Sequence, residues 1–305
     1  MKIAAICGPT ASGKTALAVA LRRDFGLPVE MLSVDALQVY QRLDAGTAKP
    51  TAEERAQIPT HLVDIVAPEQ AMNAALWVDY AERAMADVRA RGNWPLLVGG
   101  TGLYLRALLR GLAEIPDVPE SVRAALADEH AERGADALWA ELNAVDPAYA
   151  TRTPPQNRQR LLRALEVYRH TGQAFSAFHA AHQAQADRHA CFRISLEPPR
   201  EVLYARIRTR ALAMAEPLLA EVAALRAEGL AATAPGLQAI GYRDAWLAAE
   251  DPTLATDLGE RLVAAHQTYA KKQATWFRNN PMEVRQVELD VPRLAEVLRA
   301  WFAPV

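Results

Sequence analysis

Cysteine is nearly missing from this 305-residue chain: Cys7 and Cys191 are the only two. Two thiols, each inside an apolar run, build neither a disulfide framework nor a four-ligand zinc site, and they point to a reducing compartment. Lysine is almost as scarce. Lys2, Lys14, Lys49, Lys271 and Lys272 are all there are among 34 cations, leaving 34 − 5 = 29 arginines. That bias reflects coding composition, and it singles out the lysines that persist, because arginine cannot stand in for a compact ammonium on a thin stem. No stretch approaches the ~20 apolar residues of a membrane span. The opening apolar run stops at Gly8 and Pro9, too short for the apolar part of a secretory leader. The expectation is a cytoplasmic protein with no membrane attachment. Overall charge is also lacking, at 34 − 36 = −2, and a content of 51% hydrophobic and 23% charged residues excludes wholesale disorder.

What is present is an alternation of strand and helix signals. Strands are expected at Lys2–Cys7, 29–35, 61–66 and 95–100, with helices from Lys14 to about residue 25, at Ala74–Ala90 and at Gly102–Arg110. Strands separated by helices mean a parallel sheet with both faces covered. From 111 to 190 strand signals vanish. Helical patterns at 122–133, 135–142, 158–170 and 176–186 are joined through Pro116, Pro119, Pro147, Pro154 and Pro155. A strand returns at 191–196, and helices dominate the remainder apart from a strand at 284–289. The expected plan is an α/β core over 1–112, a mostly helical insertion over 113–190, and a return to the core with C-terminal helices over 191–305.

Charge is uneven across that plan. Residues 112–147 carry nine acids against Arg123 and Arg133, whereas residues 151–215 carry eleven arginines against four acids, an excess of +7. Arginine concentrated on a slightly acidic protein is the form a local nucleic-acid footprint takes, although any single arginine is more often part of a solvated face.

Three strand-to-helix turns carry chemistry. Gly8, Pro9, Thr10, Ala11, Ser12, Gly13, Lys14 and Thr15 match the G-x-x-x-x-G-K-[ST] pattern between a strand and a helix. Its backbone N–H groups form a nest for phosphate oxygens, Lys14 reaches the terminal phosphate, and the Thr15 hydroxyl ligates Mg²⁺. The pattern does not say whose phosphates these are, so nucleotide binding, ATP included, stays open. The second turn is Ser33-Val34-Asp35-Ala36-Leu37-Gln38-Val39-Tyr40. There Asp35 reads as a metal ligand, a general base or a helix N-cap. The third is Val98-Gly99-Gly100-Thr101-Gly102, where Thr101 can offer its hydroxyl to a cleft on the same sheet edge.

These three blocks are followed by 44–50 (Asp44-Ala45-Gly46-Thr47-Ala48-Lys49-Pro50), an arginine-rich run over 158–167, Gly241-Tyr242-Arg243, and 270–278 (Ala270-Lys271-Lys272-Gln273-Ala274-Thr275-Trp276-Phe277-Arg278). In this order, along nearly the whole chain, they resemble the tRNA dimethylallyltransferases. The resemblance implies a P-loop kinase-like parallel sheet with helices on both faces. It also implies transfer of a dimethylallyl group from dimethylallyl diphosphate to N6 of the adenosine 3′ of the anticodon (position 37). The P-loop would then cradle the donor's diphosphate with Mg²⁺, Asp35 would take the N6 proton, Thr101 would line the channel, and Arg210, near Met214, would reach the leaving group. The tRNA anticodon stem-loop would be held by Asp35, Ala36, Leu37, Gln38, Thr101, Arg123, Gln159, Arg160, Leu161, Leu162, Arg163, Gly241, Tyr242, Arg243, Lys271, Lys272, Gln273 and Arg278, with Trp276 read as core. A monomer is expected.

The chain departs from the family pattern at Ala36, where serine is usual, and at Asn157, where an acid is usual. It departs again at His266-Gln267-Thr268, and at Pro217 in a shortened segment before Glu221. The competing function is a P-loop small-molecule or nucleoside kinase, which explains the first hundred residues equally well but not the basic segments.

Overall fold

In a computed structural model, residues 1–183, 187–288 and 290–304 are described. The chain divides into two units, Met1–Leu109 with Arg188–Val305, and Arg110–Asp187.

The first unit opens with β1 (Lys2–Cys7), α1 (Lys14–Arg23), β2 (Val29–Val34), α2 (Ala52–Gln57), β3 (Thr60–His61), α3 (Ala74–Ala90), β4 (Trp94–Gly99) and α4 (Gly102–Arg110). All pairings in its six-stranded sheet are parallel, in the order β3-β2-β4-β1-β5-β6. Register decides what this sheet can do. Cys7 pairs with Gly99, and Gly99 pairs with Val34. Three strands therefore end level, and the residues that follow them, Gly8, Gly100 and Asp35, emerge side by side at the carboxyl edge, where open parallel sheets bind ligands.

Both faces of the sheet are buried, so its strands are continuously apolar rather than alternating. Ile3, Ala5 and Cys7 pack on one side with Trp77, Leu108, Leu218 and Phe277. Ala4 and Ile6 pack on the other with Leu17, Leu21 and Leu298. Cys7 and Cys191 are both buried and free, and burial pushes the Cys7 thiol up to about 12, which leaves it inert.

The second unit holds α5 (Glu120–Val145), α6 (Pro147–Ala150), α7 (Arg158–Thr171) and α8 (Phe175–Gln183) around its own core of Leu126, Leu138, Leu142, Leu161 and Leu165. Gly134, at φ 78° and ψ 169°, breaks α5 where the sequence reading places a gap between two helices. Asn157 caps α7 through its side-chain oxygen, which accepts from the Arg160 N–H at 3.4 Å, so the residue standing in for an acid still serves the helix N-terminus. The last three residues of the helix expected over 176–186 lie outside the described residues.

The chain returns through β5 (Ala190–Leu196), α9 (Arg200–Ala227), α10 (Tyr242–Glu250), α11 (Leu258–Arg278), β6 (Val284–Gln286) and α12 (Val291–Phe302). The strand expected over 284–289 ends at Gln286, and residue 289 lies outside the described residues. Pro217 does not interrupt α9. Pro217 and Ala213 are both exposed, so the carbonyl that the proline leaves without an N–H donor faces water.

A second expected strand shrinks further. Over 61–66, pairing stops at His61, and Leu62 and Asp64 take left-handed backbone angles of φ 64° and 59°. That turn delivers the Asp64 carboxylate to Lys49 at 2.5 Å and Arg55 at 3.0 Å, and only an isolated bridge between Tyr40 and Val66 resumes the sheet. Among the described residues, no helix is long and apolar enough to cross a membrane.

Candidate active site

The level strand ends open into a cleft of about 550 Å³ lined by Gly13, Lys14, Thr15, Asp35, Arg210 and Gln273, among others. Its floor is the loop between β1 and α1. Gly13 takes φ 96° to turn the chain into α1, whose first turn carries no acid to compensate the positive end of the helix dipole. Lys14 Nζ folds back onto the carbonyls of Gly8 at 3.1 Å and Pro9 at 2.7 Å. The Ser12 hydroxyl is buried with no protein partner. An orphaned hydroxyl, a helix N-terminus and a lysine held only by carbonyls make a cradle suited to phosphate oxygens.

Gln273 of α11 fastens that loop. It accepts from the Thr10 N–H at 2.8 Å and donates to the Gly100 carbonyl at 3.1 Å, so one amide spans the P-loop and the turn after β4. A Cβ on Gly100 would overlap this amide, which is why glycine stands there. Arg210 of α9 donates to the Thr10 hydroxyl from across the cleft.

Asp35 sits opposite. Its Oδ1 accepts from the N–H groups of Leu37 at 2.9 Å and Gln38 at 3.3 Å. Thr101 braces the same turn from β4, its N–H donating to the Val34 carbonyl at 3.1 Å and its hydroxyl accepting from the Ala36 N–H at 3.1 Å. Tyr269, one turn before Gln273 on α11, lines the cleft beside Thr101 and Gln273.

Burial governs the charges here. It raises the Asp35 carboxyl above its usual range, against the two backbone N–H bonds and the cations Lys14 and Arg210. It lowers Lys14 to about 8, with Asp35 opposing and Arg210 adding to the fall. It lowers Arg210 as well, with Asp35 opposing. Two half-buried cations against one carboxylate leave the cleft short of negative charge, the condition an anionic ligand relieves.

Mg²⁺ fits as a companion of such a ligand. Among the described residues, no group of three or more His, Cys, Asp or Glu side chains is arranged to hold a metal, and Thr15 lines the cleft with a hard oxygen donor. Mg²⁺ is commonly bound through one or two protein oxygens plus substrate phosphates.

The other expected contacts divide by burial. Lys271, Lys272 and Arg278 on α11, and Arg243 on α10, are exposed. Lys271, Thr275 and Arg278 share a face of α11, turned from Tyr269 and Gln273, and line a separate cavity of about 400 Å³. Trp276 packs on the core over Gly102, where a Cβ would strike its ring. In the second unit, Gln159 and Arg160 are exposed at the start of α7, while Arg123 and Arg163 flank Glu166 at 3.9 and 3.4 Å.

Five residues expected to touch RNA lie wholly or partly inside the protein. Leu161 is fully buried in the α5–α8 core, with Leu162 packed beside it. Tyr242 is fully buried, and Gly241 is the buried left-handed cap of α10. Gln273 is 5% exposed and satisfied by protein on both sides of its amide. Leu161 and Tyr242 hold the framework, Leu162 is half-buried, and Gln273 lines the cleft. His266 is also buried, donates from Nδ1 to the Leu262 carbonyl at 2.8 Å, and has its pKa lowered by burial, so it replaces no surface cation. The sequence reading missed Tyr269 and Arg206. Their signal is spacing, since each lies four residues, one helical turn, from a residue already singled out, Gln273 and Arg210.

Comparison with known proteins agrees with this geometry. A family model described as IPP transferase matches residues 38–280, and one described as Isopentenyl transferase matches residues 1–62. A tRNA dimethylallyltransferase of Methylibium petroleiphilum is 48% identical over 94% of this chain and 89% of that protein. The crystal structure of a tRNA isopentenylpyrophosphate transferase from Bacillus halodurans is 33% identical, with a TM-score of 0.68 over 98% of this chain and 96% of its own. The corresponding transferase from Staphylococcus epidermidis is 31% identical, with a TM-score of 0.65 over 98% and 97%. A likeness this long, running through the P-loop, the Asp35 turn and the basic face of α11 alike, makes this chain a member of the tRNA dimethylallyltransferase family of IPP transferases.

Proposed function

We propose that the chain transfers a dimethylallyl group from dimethylallyl diphosphate to the exocyclic N6 of the adenosine 3′ of the anticodon in tRNA, releasing diphosphate. The observation that carries this is the pairing, in one cleft, of an anion cradle with a half-buried carboxylate of raised pKa facing it. In the reaction N6 attacks the allylic carbon, the carbon–oxygen bond to diphosphate breaks, and the amino proton passes to Asp35. Lys14, Arg210 and the N-terminus of α1 take up the charge that develops on the departing diphosphate. Mg²⁺ held between Thr15 and the diphosphate would supply further neutralisation of that leaving group. A carboxyl with a raised pKa is the better base for a weakly acidic amino group, and its Oδ1 is already held by two N–H groups.

The base must leave its stack to reach Asp35, so the enzyme must also grip the stem-loop. The exposed Lys271, Lys272 and Arg278, and Arg160 in the second unit, are suited to its phosphates. A phosphoryl-transfer reading leaves these cations without a task.

The test is direct. Purified protein, Mg²⁺, radiolabelled dimethylallyl diphosphate and unmodified anticodon stem-loop RNA are incubated and label in the RNA is counted, beside an RNA carrying guanosine in place of the target adenosine. Label in the adenosine RNA alone is expected. No label in either RNA, with ATP consumed in a parallel incubation, would overturn the transfer and give the phosphate site to a nucleotide.

A further inference from the structure

The loop that follows Asp35 is anchored at its far end by two residues that the transfer step does not touch. Asp44 and Ala45 donate their N–H groups to a single oxygen of Glu221, at 2.8 and 2.9 Å. The next N–H, of Gly46, donates to the Tyr242 hydroxyl at 3.2 Å, and that hydroxyl donates to the other Glu221 oxygen at 2.6 Å. The two carbonyls that follow, of Thr47 and Ala48, accept from the Gln38 side-chain amide at 3.3 and 3.0 Å, while the Ser33 hydroxyl donates to its oxygen at 2.8 Å. The Gln38 N–H completes the path at Asp35 Oδ1. Hydrogen bonds and the backbone of residues 44–48 thus link α9 and α10, through Gln38, to the carboxylate.

The anchor is rigid for physical reasons. Tyr242 is fully buried, and a Cβ on Gly46 would overlap its ring, so loop and tyrosine meet at a distance only glycine allows. The Gly46–Tyr242 bond is buried, and a buried hydrogen bond is costly to leave unmade. Burial, reinforced by Glu221, holds the phenol far above its usual range, so Tyr242 remains a donor at every working pH.

We propose that Glu221 and Tyr242 are positioning residues for the transfer step: they fix the 44–48 loop so that Gln38 and Leu37 present Asp35 bound through Oδ1, with Oδ2 left to accept the proton. This rests on Asp35 being the base, as proposed above. It gives Tyr242 a task that its burial permits, unlike contact with RNA.

The experiment compares Glu221→Gln, Tyr242→Phe, the double variant and Asp35→Asn in the labelled-donor assay, recording kcat, both KM values, and kcat against pH. Glu221→Gln keeps the volume but only one of the two accepting oxygens. Each single variant is expected to lower kcat about tenfold, as slight misplacement of a reacting group does. KM for donor and RNA should stay within about twofold. The double variant should lose little more than either single one, because both act on one strut. The acid limb of kcat should move to higher pH. The N–H bonds of Leu37 and Gln38 favour the ionised carboxylate, as do Lys14 and Arg210, whereas burial and the nearby phenols Tyr104 and Tyr269 do not change with the variants. Unchanged kcat, or a lower kcat with the acid limb unmoved, overturns the proposal. Full activity in Asp35→Asn overturns the base assignment itself, and an inactive Asp35→Asn beside an unaffected Glu221→Gln overturns the strut alone. If Tyr242→Phe does not fold, Glu221→Gln carries the same test.

Discussion

Lys14 is the residue whose titration the cleft makes visible. An exposed lysine keeps its charge to about pH 10, but burial beside Arg210 brings this ammonium to about 8 in the free protein, with Asp35 offsetting part of the fall. At pH 7 about nine-tenths of the molecules would carry the charge, at pH 8 half, and at pH 9 about one-tenth. If only the ammonium form captures the donor, kcat/KM for dimethylallyl diphosphate falls about tenfold between pH 7 and pH 9. The bound diphosphate then adds negative charge beside the amine and favours its protonated form. The alkaline limb of kcat, measured with donor saturating, should therefore lie at higher pH than that of kcat/KM. The assay is initial-rate transfer to saturating RNA from pH 6.5 to 9.5 at fixed ionic strength, with donor both limiting and in excess. Lys14→Arg should abolish the alkaline limb, since guanidinium does not titrate, without restoring wild-type rate, since it does not fit the carbonyls of Gly8 and Pro9 that hold the ammonium. A flat kcat/KM profile to pH 9.5, or coincident limbs in kcat and kcat/KM, would refute the reasoning.

Asp35→Asn should slow transfer by about 10²–10⁴ while RNA and pyrophosphate dissociation constants stay within about twofold, and an equal loss of binding in filter assays would show that the carboxylate serves binding instead. Lys271→Gln and Arg278→Gln should each flatten the dependence of log Kd for stem-loop RNA on log salt by about 0.7, with donor KM unchanged; a slope that stays put removes that residue from the RNA contacts. Glu30, buried on β2, accepts from Arg91 at 2.6 Å and Asn93 at 2.5 Å and pairs with His61 at 2.6 Å, which brings its carboxyl to about 2. Because that pKa is depressed in the folded state, the stabilisation is full above the ordinary value near 4.5 and fades as pH falls towards 2. Its ceiling is about 3 kcal/mol, nearer 2 once the half-exposed Arg91 is screened. Glu30→Gln should lower Tm at pH 7 and narrow its difference from wild type by pH 3, and an equal Tm gap at both pH values would disprove the linkage.

The sheet was legible because each of its chemical residues directly follows an apolar run, and a run that ends in glycine or a polar residue marks a strand's carboxyl end. That three such ends lie level is a matter of register, which no single segment encodes. It follows from the pairing of Cys7, Gly99 and Val34 across three strands. The segment over 61–66 misled for a related reason. Its β-forming residues are real, but the ion pairs of Asp64 with Lys49 and Arg55 require a left-handed turn that outweighs strand propensity.

The residues expected to touch RNA were legible only as segments. A contiguous stretch assigned to one role ignores that a helix gives the same face to every third or fourth residue. On α11, Lys271, Thr275 and Arg278 share the outer face, while Tyr269 and Gln273 turn inward to Thr101 and the P-loop. One helix therefore does two jobs, with the basic side presented to solvent and the inner side bracing the donor cradle. Gln273 shows the consequence most sharply. Flanked in sequence by Lys272 and exposed surface, it reads as one more contact, yet its amide is what joins the Thr10 N–H to the Gly100 carbonyl.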